Sequence, residues 1–196
     1  MRDNDSLRHV DLYPSTSPYR TAACGRRRKQ IPCRINRVYV PLGVLEATSR
    51  VMRLFGIQRR ECYAWWGGSF LDGGNAQVGT AYCPDVQTDY GRIELGVREF
   101  QALHRELRTR DQVLIAELHT HPPGAGGQND VDAAHPAAPY LGFLTIVVPD
   151  FAAPFLHDLR DTYVYEYMGN LIWKQLNRNQ IAEKFTVEEC LINVRP

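Results

Sequence analysis

The spacing of apolar residues along this chain changes repeatedly, and the changes outline a fold. Residues 37–40, Arg-Val-Tyr-Val, read as a short strand, and Pro41 suits the first position of a following helix, where its missing N–H has no partner to lose. Apolar side chains at 42, 44, 45, 47, 51, 52, 54 and 55 then recur at helical spacing, with Gly56 placed to end the helix. Two strand-like runs, 62–71 and 76–83, flank Asp72-Gly73-Gly74-Asn75, a composition suited to a hairpin turn. Residues 92–96 read as another short strand, and Val97, Phe100, Leu103 and Leu107 mark a second helix at 97–107. A buried-type strand at 113–118 follows, then strands at 142–148, 163–168 and 171–176, the last two joined across Gly169-Asn170. Helices scattered among strands, without steady strand-helix alternation, predict one mixed α/β domain over 36–176. Residues 1–35 lack apolar periodicity and read as a flexible arm, while 177–196 are set apart as a C-terminal extension.

Composition adds limits to this outline. A chain of 196 residues holds one domain and an arm, and 44% hydrophobic with 23% charged residues is ordinary for a globular protein. No apolar run reaches about 18 residues and the first residues are polar, which predicts a soluble protein that stays in the cytoplasm and does not bind membranes. The net charge of +1 conceals a division. Up to residue 37 there are nine lysines and arginines against three aspartates, a net +6 that leaves −5 for the rest. The run Arg26-Arg27-Arg28-Lys29 has no interleaved aromatic residues, so docking onto an acidic partner or onto the acidic body suits it better than nucleic acid does. The five cysteines, Cys24, Cys33, Cys62, Cys83 and Cys190, are odd in number and lack C-x-x-C spacing, which argues against a disulfide framework or a thiolate zinc cage.

The candidate chemistry lies between Glu117 and Asp132. His119 and His121 are two apart at the end of an apolar strand, so their imidazoles project from one face, and Pro122 stops the strand and leaves the second histidine at the edge of a cleft. Asn129-x-x-Asp132 has the form of a helix start, with Asn129 as N-cap and a carboxylate three positions on, aimed back towards the strand end. Two histidines and one carboxylate are a usual three-ligand set for catalytic zinc, with the fourth position left for water. Such a site also needs a base. Glu61, heading the apolar strand Cys62-Tyr63-Ala64-Trp65-Trp66, is the first candidate, and Glu117, on the same strand face as His119, is its rival or a group that orients an imidazole.

Glu61 before a strand ending in Gly67-Gly68, then His119-x-His121-Pro122 and Asn129-x-x-Asp132, resembles the JAMM signature of the JAB/MPN metalloprotease family. The resemblance covers about 36–176. It implies a curved mixed β-sheet flanked by helices, similar to that of cytidine deaminases. It implies one zinc ion per chain held by His119, His121 and Asp132, with Glu61 as general acid/base on the attacking water. Family members cleave isopeptide or peptide bonds after the C-terminal glycine of ubiquitin or a ubiquitin-like protein. The Glu117-Leu118 lead-in looks like the bacterial branch, whose members accompany E1-like and E2-like partners, some in antiphage defence. The family usually has Ser where this chain has Asn129, and that Ser donates to the oxyanion. An Asn amide donates equally well, and such donors are worth roughly 3–4 kcal/mol in other hydrolases.

A peptidase acting on a sulfur-carrier protein shares every one of these residues, and a non-catalytic MPN scaffold is the alternative of another class. A zinc deaminase is disfavoured by the lack of Pro-Cys-x-x-Cys, and no H-E-x-x-H of thermolysin type occurs. An extended substrate tail is expected to add as a strand beside the active-site sheet edge. Trp65-Trp66 are expected to supply one core and one rim residue. Gly124, Gly126 and Gly127 are expected to form a mobile loop beside the metal, a lid that orders on substrate binding. His9, His104, His135 and His157 are expected to be structural.

Overall fold

The computed structural model describes residues 34–84 and 86–189. Strand β1 (Val38–Pro41) leads through Pro41 into helix α1 (Leu42–Ile57), and β2 (Tyr63–Phe70) and β3 (Ala76–Tyr82) form a hairpin across a short 3-10 turn at Asp72–Gly74. A small ribbon, β4 (Thr88–Asp89) and β5 (Arg92–Ile93), precedes α2 (Val97–Thr109). Then come β6 (Val113–Thr120), the short α3 (Asp130–Ala134), β7 (Leu144–Val148), β8 (Tyr163–Tyr167), β9 (Trp173–Leu176), α4 (Arg178–Lys184) and β10 (Phe185–Glu188). Eight strands make one mixed sheet in the order β10-β1-β3-β2-β6-β7-β8-β9, and β4-β5 stands apart as its own two-stranded sheet. This is the mixed α/β class that the apolar spacing predicts. Among the described residues no helix is long and apolar enough to cross a membrane.

Successive strand residues face opposite sides, and this splits the core in two. Trp66 joins Val44, Leu45 and Met52 of α1 on one face, while Trp65 joins Leu103 and Leu107 of α2 on the other. Both tryptophans are fully buried, so the expectation that one lies on the rim is corrected. Gly56 lies inside the last turn of α1 and does not stop it. Its function is close approach, since a Cβ there would overlap the Phe151 carbonyl oxygen.

The sheet is curled, and register shifts at Gly67 and Gly68 in β2 mark where it bends. Arg34, ahead of β1, makes a bidentate ion pair with Glu166 of β8 at 2.7 and 2.8 Å, and Lys184 at the end of α4 reaches the same carboxylate at 3.4 Å. Glu166 is fully buried; burial opposes its charge, but the two cations outweigh this and hold its carboxyl below the usual range. Residues 178–188, beyond the domain end drawn from sequence, thus complete the sheet: β10 pairs in parallel with β1. Ile35 is buried with them. Most of the basic arm, residues 1–33, and Cys24, Cys33 and Cys190 lie outside the described residues; Cys62 and Cys83 are free thiols.

Candidate metal centre

Strand β6 is interior, hydrogen-bonded to β2 on one side and to β7 on the other. The site therefore grows from the middle of the sheet, and β6 itself offers no edge for a substrate strand. His119 sits opposite Tyr63 of β2 and Val147 of β7, and His121 continues the pairing by donating its N–H to Val148 O at 3.0 Å. Pro122 then ends the strand. Both imidazoles are buried on one face, with their Nε2 atoms 3.1 Å apart.

Asp132 closes the group. Asn129 caps α3, its Oδ1 accepting from the N–H groups of Val131 and Asp132 at 2.8 and 3.0 Å, while Asp132 Oδ2 accepts from Asn129 N–H at 2.9 Å. That reciprocal cap fixes Asp132 Oδ2 at 3.4 Å from His119 Nε2 and 3.3 Å from His121 Nε2. Three ligand atoms 3.1–3.4 Å apart span one face of a tetrahedron whose centre lies about 2 Å from each, the length of a bond from a metal to imidazole or carboxylate. His119, His121 and Asp132 form a group that could hold a metal ion.

Neighbouring groups orient these ligands. His121 Nδ1 lies 3.3 Å from Gly126 O, and an N–H on Nδ1 donating there keeps the Nε2 lone pair for a metal. The Tyr63 ring stacks on His119, with centroids 5.9 Å apart and planes within 7°. Burial would raise the Asp132 carboxyl, but hydrogen bonds and charge from His119 and His121, with the Asn129 N–H, hold it well below the usual carboxylate range. Burial likewise opposes charge on His121, yet the Asp132 carboxylate outweighs it and raises the imidazole.

Glu61 and Glu117 have different fates. Glu61, two residues ahead of β2, is buried beside the ligands because the chain there is tied to the end of β6: Cys62 N–H donates to Thr120 Oγ1 at 2.8 Å, and Thr120 N–H donates to Cys62 O at 3.0 Å. Burial, reinforced by the Asp132 charge and opposed by His121, pushes the Glu61 carboxyl up to about 7. Such a group exchanges a proton near neutral pH. Glu117 has both oxygens engaged, Oε2 by Tyr63 Oη at 2.6 Å and Ala137 N–H at 3.0 Å, Oε1 by Thr145 Oγ1 at 2.6 Å. Its three hydrogen bonds pin β2, β7 and the segment after α3 around the ligands.

Sequence reasoning missed Tyr63, Thr145, Tyr165 and Trp173, whose Nε1 donates to Ala133 O at 2.9 Å and holds the end of α3. Their local sequences carry no sign of this, because each acts through a partner distant in the chain. In the ligand loop Ala125 N–H donates to Pro122 O and Gln128 N–H to Tyr165 Oη at 3.1 Å, and Gly127 is packed close to Tyr163 and Tyr165. A Cβ on Gly127 would overlap Tyr165 Oη. Gly127→Ala is accordingly expected to weaken metal binding at least tenfold, and adding Tyr165→Phe, which removes the overlapping oxygen, to recover much of it. Metal titration of the single and double variants checks this.

Two of the raised groups bear on the pH dependence of the metal-free protein. Glu61 binds its proton more tightly folded than unfolded, so its ionisation works against the fold as pH climbs from about 4.5 to about 7. His121, also raised, stabilises the fold below its ordinary value, and that contribution is lost as pH rises through its folded pKa. Both act in one direction. The metal-free protein should lose Tm, on the order of 5 °C, between pH 5 and pH 8, and Glu61→Gln should flatten that fall. Thermal melts across this range in chelator decide it.

No family model matches this chain. Among solved structures it is similar to the solution structure of protein DSY2949 from Desulfitobacterium hafniense, with a TM-score of 0.55 and 15% sequence identity over 80% of this chain and 97% of that one. At that identity the likeness concerns the fold alone.

Proposed function

We propose that this chain is a JAMM-type zinc hydrolase of the JAB/MPN family, a cytoplasmic isopeptidase that cleaves after the C-terminal glycine of a ubiquitin-like protein, in a bacterial system with E1-like and E2-like partners. One observation carries the reading: three ligand atoms within 3.4 Å of one another, with a buried carboxyl raised to about 7 beside them. Zinc, when bound by His119, His121 and Asp132, supplies Lewis acidity and brings the pKa of a coordinated water down to about 7.

The chain's own residues do the rest. Glu61 takes a proton from the attacking water and passes it to the leaving amine, a role its raised pKa suits. Asn129 has Oδ1 committed to the cap, so its Nδ2 amino group is the donor left for the developing oxyanion, in the place where the family has Ser. Gly126 O holds the His121 tautomer, and Glu117 keeps Tyr63 and the α3 segment fixed during turnover. The β4-β5 ribbon adjoins this chemistry, since Glu61 donates its N–H to Asp89 O at 3.0 Å. An extended glycine tail adding as a further strand along that ribbon would suit this reading.

A fluorogenic substrate with a C-terminal Gly-Gly joined to a lysine ε-amine tests the reading. The zinc-loaded protein is expected to release the lysine at the glycine carbonyl and to stop when zinc is chelated; no cleavage of this or of the corresponding α-peptide counts against it.

A further inference from the structure

Beside the ligand group the surface opens into a cavity of about 360 Å³ lined by Arg53, Ile57, Arg59, Tyr90, Pro123 and Phe151. Its wall is continuous with the metal centre. Phe151 N–H donates to the carbonyl of His121 at 2.8 Å, Pro123 is the second residue after that ligand, and Tyr90 follows Asp89, whose carbonyl takes the Glu61 N–H. Any chain segment lying in the cavity therefore lies against both the ligand loop and the strand of the base.

The floor is built at a cost. Asp150, Phe151 and Ala152 all have left-handed backbone, with φ of 54, 53 and 55°, a run that non-glycine residues hold only when the surroundings impose it. The α1 glycine at 56 admits the turn, since any side chain there would meet the Phe151 carbonyl. The lining is apolar and cationic together. Ile57 is 78% exposed and Tyr90 46%, apolar surface left open next to the chemistry. The Arg59 guanidinium lies 5.4 Å over the Tyr90 ring and that of Arg53 5.8 Å over Phe155, so aromatic faces hold both in place. Neither arginine is in an ion pair among the described residues. Asp150 also lines the cavity, and the two arginines leave it net positive on a body that carries −5 beyond residue 37.

We propose that this cavity is the subsite for an acidic segment of the substrate protein, with Glu or Asp carboxylates received by Arg53 and Arg59 and an apolar side chain seated on Ile57, Tyr90 and Phe151. Planar guanidinium groups bind carboxylates in two-point fashion, and rings that already restrict them reduce the ordering needed on binding. The basic arm of this chain, of like charge, does not suit the place. The proposal rests on the hydrolase reading for what brings a protein substrate there, while the recognition belongs to the cavity itself.

The test is a titration of the full-length, ¹⁵N-labelled protein with an octapeptide alternating Glu and Leu, and with its twin carrying Gln for every Glu. Shifts are expected to concentrate at Ile57, Arg59, Tyr90 and Phe151. The Glu peptide should bind at least tenfold tighter than the Gln twin, and R53E/R59E, both exposed positions, should lose that preference with the rest of the spectrum unchanged. Equal binding of the twins, shifts that fall elsewhere, or an undiminished preference in R53E/R59E overturns the proposal. Zinc titration of the same sample reads the ligands separately. A peptide preference as expected, with no zinc response at His119 and His121, would sink the hydrolase reading alone; a zinc response without the peptide preference would sink the subsite alone.

Discussion

Glu61→Gln is expected to keep one zinc per chain and to lower kcat by about 10²–10⁴ with little change in KM. The amide has nearly the shape of the carboxyl and stays hydrogen-bonding, so the packing of Cys62 against Thr120 is undisturbed. What goes is the proton exchange near pH 7 that the buried carboxyl supplies. The acid limb of the rate-pH profile should vanish with it. Zinc content and steady-state kinetics, measured together, separate this outcome from a ligand defect. Activity kept at the wild-type level would take the base away from Glu61, and the engaged oxygens of Glu117 give no ready replacement.

His121→Ala is expected to do the opposite, removing stoichiometric zinc and with it all hydrolysis. The loss in affinity should exceed the roughly 10–100-fold cost of deleting a group that merely orients a ligand. His121 Nε2 is 3.1 Å from one remaining ligand atom and 3.3 Å from the other, and no other His, Cys or acidic side chain of the described residues joins this ligand group to stand in for it. The backbone should survive, because His121 N–H and C=O stay paired with Val148 and Phe151. Tyr165→Phe, which removes only the acceptor of the Gln128 N–H in the ligand loop, should cost far less. Equilibrium dialysis against zinc, with circular dichroism to confirm the fold, measures the difference.

Much of this site was legible in the chain. A histidine pair two apart must share a strand face, and Asn129-x-x-Asp132 must form a reciprocal cap if a helix starts there; both followed from local geometry. The surroundings of Glu61 and Glu117 did not, because they depend on which partners reach each carboxylate. Tyr63, Thr145 and Ala137 come from three separate segments, and only strand pairing brings them to Glu117. The same holds for the curl of the sheet. Glu166 reads from sequence as one acidic residue in a strand, and its pairing with Arg34 and Lys184 closes the sheet from residues near both ends of the described chain. The left-handed turn at Asp150–Ala152 had no signal at all, since no glycine marks it; packing against Gly56 and the hydrogen bond to His121 impose it.

The proposed hydrolase requires His119, His121 and Asp132 to hold one zinc ion. X-ray absorption at the zinc edge of the loaded full-length protein, with metal counted per chain, tests it most directly. The expected result is one zinc with four nitrogen and oxygen neighbours at about 2.0–2.1 Å, including two imidazoles, and loss of that signal in His121→Ala. Sulfur neighbours near 2.3 Å, which would place the metal on the cysteines, or the same spectrum in His121→Ala, would contradict it.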